Sequence, residues 1–94
     1  MNYILIPEQV DQDKELPDKA KRLYGYILRL DAVRNGCYAQ NEYFCGKLRI
    51  HERQLQRYFV ALRTRHFLTI FYKRDREHRI TSRRLVPKIK IVSK

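Results

Sequence analysis

The segment "RIHERQLQRYF", residues 49–59, carries Arg53, Gln54 and Arg57 at spacings that gather them on one side of a helix, away from Leu55, Tyr58, Phe59 and Leu62. These side chains recognise by hydrogen bonding rather than by making or breaking bonds. A guanidinium pairs bidentately with guanine O6 and N7, and a carboxamide with adenine N6 and N7, so all three are candidates for reading base edges. The competing reading is a solvated face held by i,i+4 pairing. Arg53 and Arg57 are like charges at that spacing and repel each other without an anion nearby, which favours a ligand. A second group, Gln40, Asn41, Lys47 and His51, offers polar groups and free helix-end amides to a phosphate; for Gln40 and Asn41 plain helix capping is the alternative. A third group, Arg74, Arg76, Arg79, Arg83 and Arg84, crowds one short stretch, with two or three expected to meet a ligand and the rest solvated. His78 between them could enter a minor groove or simply face water.

The charge balance agrees with a polyanionic partner. The 94 residues carry a formal charge of +11, and it is one-sided: residues 1–33 hold five Lys/Arg against six Asp/Glu, residues 34–94 sixteen against four. Such asymmetry in a small chain makes a directional positive field, suited to nucleic acid and, less specifically, to an anionic membrane surface. Catalysis is not expected, because the three histidines are dispersed and no phosphate-binding glycine loop, nucleophile arrangement or carboxylate pair is present. No cofactor or small-molecule ligand is implied. Cys37 and Cys45 lie eight apart with no CxxC pair or zinc-finger histidines, so a metal site is not expected either. No apolar run approaches the roughly 18 residues of a membrane span, and "MNYILIPEQV" lacks the basic region of a signal peptide. The expectation is one soluble, reduced, cytoplasmic domain over residues 1–94.

The elements that must position these residues follow from periodicity. "NYILIP" reads as a short extended segment over residues 3–6, then a loose turn through "EQVDQDKEL". Ala20, Leu23, Tyr24, Ile27, Leu28 and Leu30 have helical spacing, Pro17 suits a first turn, and "RNG" is a stop, which predicts a helix over residues 16–33. A short extended piece precedes a second helix from Gln40 or Asn41 to about Leu48, facing inward through Phe44, Cys45 and Leu48. After a break at residues 49–51, the third helix runs from Glu52 to about His66. "FLTIFYK", a charged "RDREHR" and "RLVPKIKIV" then read as a hairpin whose second strand is interrupted, or at an edge, at Pro87. The small residues Cys45 and Gly46 are expected to let the second and third helices approach, and most aromatics, Phe71 among them, to pack; Tyr43 and Tyr72 stay open between packing and stacking on bases.

Three helices followed by a β-hairpin, with a short N-terminal extended segment, is the order of a winged helix-turn-helix domain, an α+β and mostly α class. The stretches "ILIPEQV", "YAQNEY" at residues 38–43 and "ERQLQRY" at residues 52–58 resemble the helix-turn-helix domain of phage and plasmid replication initiators and replisome organisers, over nearly the whole chain. The resemblance implies a fold that binds double-stranded DNA and makes residues 52–65 its recognition helix. Arg49 stands where such domains usually have Gly, His51 where they have a Ser/Thr cap, and His66 where they have a helix-ending Gly. A non-Gly residue at positive φ costs on the order of 1 kcal/mol, so either Arg49 tolerates that conformation or the turn differs. A transcriptional regulator of the same fold, a protein-interaction adaptor and an RNA-binding domain are the competing readings, and dimers or arrays on repeated sites are compatible with all DNA-binding versions.

Overall fold

A computed structural model describes residues 4–89. In chain order it contains α1 (Glu8–Asp11), α2 (Asp18–Arg34), α3 (Asn41–Leu48), α4 (Glu52–Thr64), β1 (Leu68–Arg74) and β2 (Ile80–Pro87). The two strands pair antiparallel and follow the helices, giving a winged helix-turn-helix.

α2 is the spine. Ala20, Leu23, Tyr24 and Ile27 are buried completely, as their spacing requires. The helix begins two residues later than its apolar pattern, because Pro17 is the extended N-cap rather than a first-turn residue, and Asp18 occupies the electropositive first turn. It ends on Asn35, whose left-handed φ of 56° suits a residue with a short polar side chain. Gly25, in mid-helix, is required by close approach: a Cβ there would lie 2.8 Å from Ile4 Cδ1, so the N-terminal segment crosses α2 at the one position without a side chain. Of that segment, Ile4 to Pro7 form no strand, and Tyr3 lies outside the described residues.

α1 replaces part of the expected loose turn. The Val10 and Asp11 amides both donate to the Pro7 carbonyl, at 3.0 and 2.9 Å, and the single turn drives Val10 into the core. One turn is too short to leave a periodic signature.

α3 and α4 form the helix pair. Phe44 and Phe59 meet edge to face at 6.1 Å, joining the two helices through large rings. Gly46 does not mediate this contact: among the described residues nothing lies within 4 Å of the position its Cβ would take. It follows Cys45 by about 100° around the helix and so faces outward. The intervening turn places Arg49 at φ 55°, ψ 53°, so the arginine tolerates the left-handed conformation, and the Ile50 amide donates to the Cys45 carbonyl at 3.2 Å. α4 ends on a full Schellman motif: His66 at φ 64° donates its amide to Arg63, and Phe67 donates to Leu62, both at 3.0 Å.

The hairpin packs one face on the helices. Leu68, Leu85 and Pro87 are buried on that face, and β2 stops at Pro87. The short extended piece before α3 joins the sheet through one bridge, in which the Leu85 amide donates to the Cys37 carbonyl at 2.8 Å. Tyr24, edge to face with Phe67, pins the far end of this layer by donating its hydroxyl to the Ile89 carbonyl and accepting from the Ile89 amide, at 2.7 and 2.9 Å. Phe71 is a correction. It does not pack inside but is 58% exposed, because the pairing Phe71↔Arg84 alternates with the inward pair Ile70↔Leu85.

Candidate nucleic-acid interface

α4 buries Leu55, Phe59 and Leu62 and half-buries Tyr58, leaving Arg53, Gln54 and Arg57 exposed on its other side. Neither Arg53 nor Arg57 has a hydrogen bond or ion pair among the described residues. At about 1.5 Å per residue the 13-residue helix is about 20 Å long, enough to cross a B-DNA major groove. Gln54 is less free than its neighbours: its Oε1 accepts the His51 amide at 3.3 Å, the side-chain half of a capping box that compensates for His51 in the cap position. Its amide hydrogens remain available to a ligand.

The four candidates for backbone contact have different surroundings. Gln40 is the N-cap of α3 and exposed, with no side-chain bond to the helix end. Asn41 is the first helical residue rather than the cap. Its Nδ2 donates to Glu52 Oε1 at 2.9 Å, tying the start of α3 to the start of α4, while its buried Oδ1 has no partner among the described residues. Lys47 is exposed in the last turn of α3, with its ammonium 5.7 Å from the Tyr43 ring centre. His51 is exposed at the N-cap of α4.

The wing arginines separate into four kinds. Arg76 is exposed without a partner among the described residues. Arg74 and Arg79 are exposed but hold the tip together: Arg74 donates to the His78 carbonyl at 2.9 Å, and Arg79 bridges Asp75 at 3.1 Å and Glu77 at 3.3 Å. Asp75 organises this turn, since its Oδ1 also accepts the Glu77 and Arg79 amides, both at 2.9 Å, and allows His78 its φ of 64°. That role was readable only in part from "RDREHR", where an Asp at a turn start is the signal. Arg84 is exposed, 5.9 Å from the Tyr38 ring centre.

Arg83 points the other way. It donates to the Ala39 carbonyl at 3.1 Å and lies 5.1 Å over the Phe59 ring, locking β2 to α4 and to the entry of α3. Burial lowers its pKa from the usual arginine value, though the group stays charged. A positive charge is thus held just behind the candidate reading helix.

At the other end of α4, Arg65 pairs with Asp13 at 2.8 Å, and that hydrogen bond holds the Asp13 carboxyl below its ordinary range. The two cysteines are unpaired, and burial pushes both thiols up, which leaves them poor nucleophiles. Among the described residues no group of His, Cys, Asp and Glu could hold a metal ion, and no helix is long and apolar enough to cross a membrane.

Searches of curated proteins and of solved structures found no match to this chain. A family model described as "Helix-turn-helix domain" matches residues 14–68, which run from just before α2 to the first residue of β1 and make up more than half of the sequence. The chain belongs to the helix-turn-helix domain family.

Proposed function

We propose that this protein binds double-stranded DNA with sequence preference, laying α4 in the major groove and the hairpin tip against the flanking backbone. The carrying observation is that Arg53 and Arg57 project, unpaired among the described residues, from a helix whose other side is fixed in the core. In this reading both arginines and Gln54 read bases. Gln40, Lys47, His51 and Arg76 contact phosphates, and Asn41 acts indirectly by holding α3 to α4. No covalent chemistry is assigned to any residue. The likeness of "ILIPEQV", "YAQNEY" and "ERQLQRY" to replication-initiator domains supports a role in initiating replication of a phage, plasmid or other mobile element. A protein adaptor has no need of a +11 charge, and a protruding helix fits the wide DNA major groove better than the deep, narrow groove of duplex RNA.

Selection of bound fragments from random duplex DNA tests this reading. An enriched motif is expected, and its repetition or two-fold symmetry reports how many copies bind. Alanine at Arg53 or Arg57 should cost about 1–3 kcal/mol on the selected site and relax specificity. Equal losses on selected and random duplexes would remove the readout role.

A further inference from the structure

The sheet has a second face that the duplex-binding reading does not use. Arg83, Leu85 and Ile70 point toward the helices, so the alternate positions Phe71, Lys73, Ser82 and Arg84 point away. The Cys37↔Leu85 bridge adds Tyr38 to this outward row beside Arg84. Across three adjacent backbones the face therefore presents Tyr38, 56% exposed, the Arg84 guanidinium and Phe71, 58% exposed. Tyr38 is held in place. Gly36 has φ 147°, and a Cβ on it would lie 2.6 Å from the Tyr38 ring, so the glycine supplies both the turn and the room for that ring. On its other flank Tyr38 borders a groove of about 290 Å³ that Tyr43 and Arg34 also line.

We propose that this outward face is a second nucleic-acid site, one that binds single-stranded DNA by stacking unpaired bases on Tyr38, Arg84 and Phe71. Aromatic rings and guanidinium planes exposed together on a sheet are stacking surfaces for bases that are not already stacked in a duplex. Charge selects the occupant. The row carries Lys73 and Arg84 and no carboxylate, with Arg74 and Arg76 on the same hairpin, so it attracts a polyanion and repels the same face of a second copy. The site is distinct from α4, because Arg83, the residue that reaches Phe59, leaves β2 on the opposite side from Arg84. One molecule could then hold a duplex on α4 and a neighbouring unpaired strand on the sheet.

The test is fluorescence anisotropy with a labelled oligothymidylate of about 15 nucleotides, close to the upper site size of small single-strand binders, alongside a duplex, at one fixed salt concentration. Phe71→Ala and Tyr38→Ala should each weaken oligothymidylate binding roughly 5- to 150-fold, the effect of one lost stack, and leave duplex affinity and thermal stability nearly unchanged. Arg57→Ala should do the reverse, so failure of the duplex reading and failure of this one are separable. Phe71→Leu, which keeps an apolar side chain without a π face, should behave like Phe71→Ala. The proposal is overturned if Phe71→Leu restores wild-type binding, if the alanine variants stay within twofold of wild type on oligothymidylate, or if they lose both DNA forms equally. It is also overturned if sedimentation shows a wild-type dimer that Phe71→Ala dissolves with single-strand affinity intact.

Discussion

Arg83 and Arg76 are the same residue type seven positions apart on one hairpin, yet their surroundings give them opposite work. Arg83→Ala removes a bond to the Ala39 carbonyl and a cation–π contact, and should destabilise the fold by about 1–2 kcal/mol in chemical denaturation. Arg76→Ala should leave stability alone and reduce the magnitude of the log–log salt slope of duplex binding by about 1. Asp13 brings pH dependence. Its pKa is depressed in the folded state, so its pair with Arg65 contributes stability above the ordinary carboxylate value of about 3.9 and loses it as pH falls through the folded value. Asp13→Asn should therefore lower Tm at neutral pH, and the gap to wild type should close in strong acid. At this scale the exposed face of α4 was legible from spacing alone, because a 3.6-residue period separates Arg53 and Arg57 from Leu55 and Phe59 without further information. The inward turn of Arg83 was not, since strand alternation gives two faces but not which one meets the core.

The elements end where local chemistry stops them, at a measurable conformational cost. Arg49 and His66 both sit at positive φ, in the two turns that frame α4. His66→Gly removes the steric penalty of a Cβ in a Schellman turn whose two hydrogen bonds are otherwise complete, and should stabilise by up to about 1 kcal/mol in thermal or chemical unfolding. An unchanged or lower stability would mean that the histidine side chain makes a compensating contact. The long, periodic helices and the first strand were readable in the sequence to within two residues or so, but β2 begins at Ile80, four residues before the expected Arg84, and residues 90–92 of the expected strand lie outside the described residues. α1 was not readable, being a single turn held by the Pro7 carbonyl, and Phe71 read as core because β-rich segments look alike on either face. The expected Gly46 contact failed for a related reason. A small residue permits close approach only on the face where the partner helix lies.

For the molecule as a whole, the acidic balance of residues 1–33 and the basic balance of residues 34–94 put the positive field on the part that carries α3, α4 and the hairpin. Duplex binding that neutralises roughly six phosphates should give a log–log salt slope near −5; a slope near zero would mean that the charge is not used for DNA. Base readout by α4 is tested most directly by replacing single guanines of the selected duplex with 7-deazaguanine, which keeps pairing and charge but deletes the major-groove N7 acceptor. At least one position should lose about 5- to 150-fold in affinity with the wild-type protein, and the same replacement should cost Arg57→Ala or Arg53→Ala almost nothing more. If every 7-deazaguanine duplex binds as tightly as the unmodified one, and both alanine variants lose affinity equally on selected and random DNA, α4 does not read guanine through the major groove.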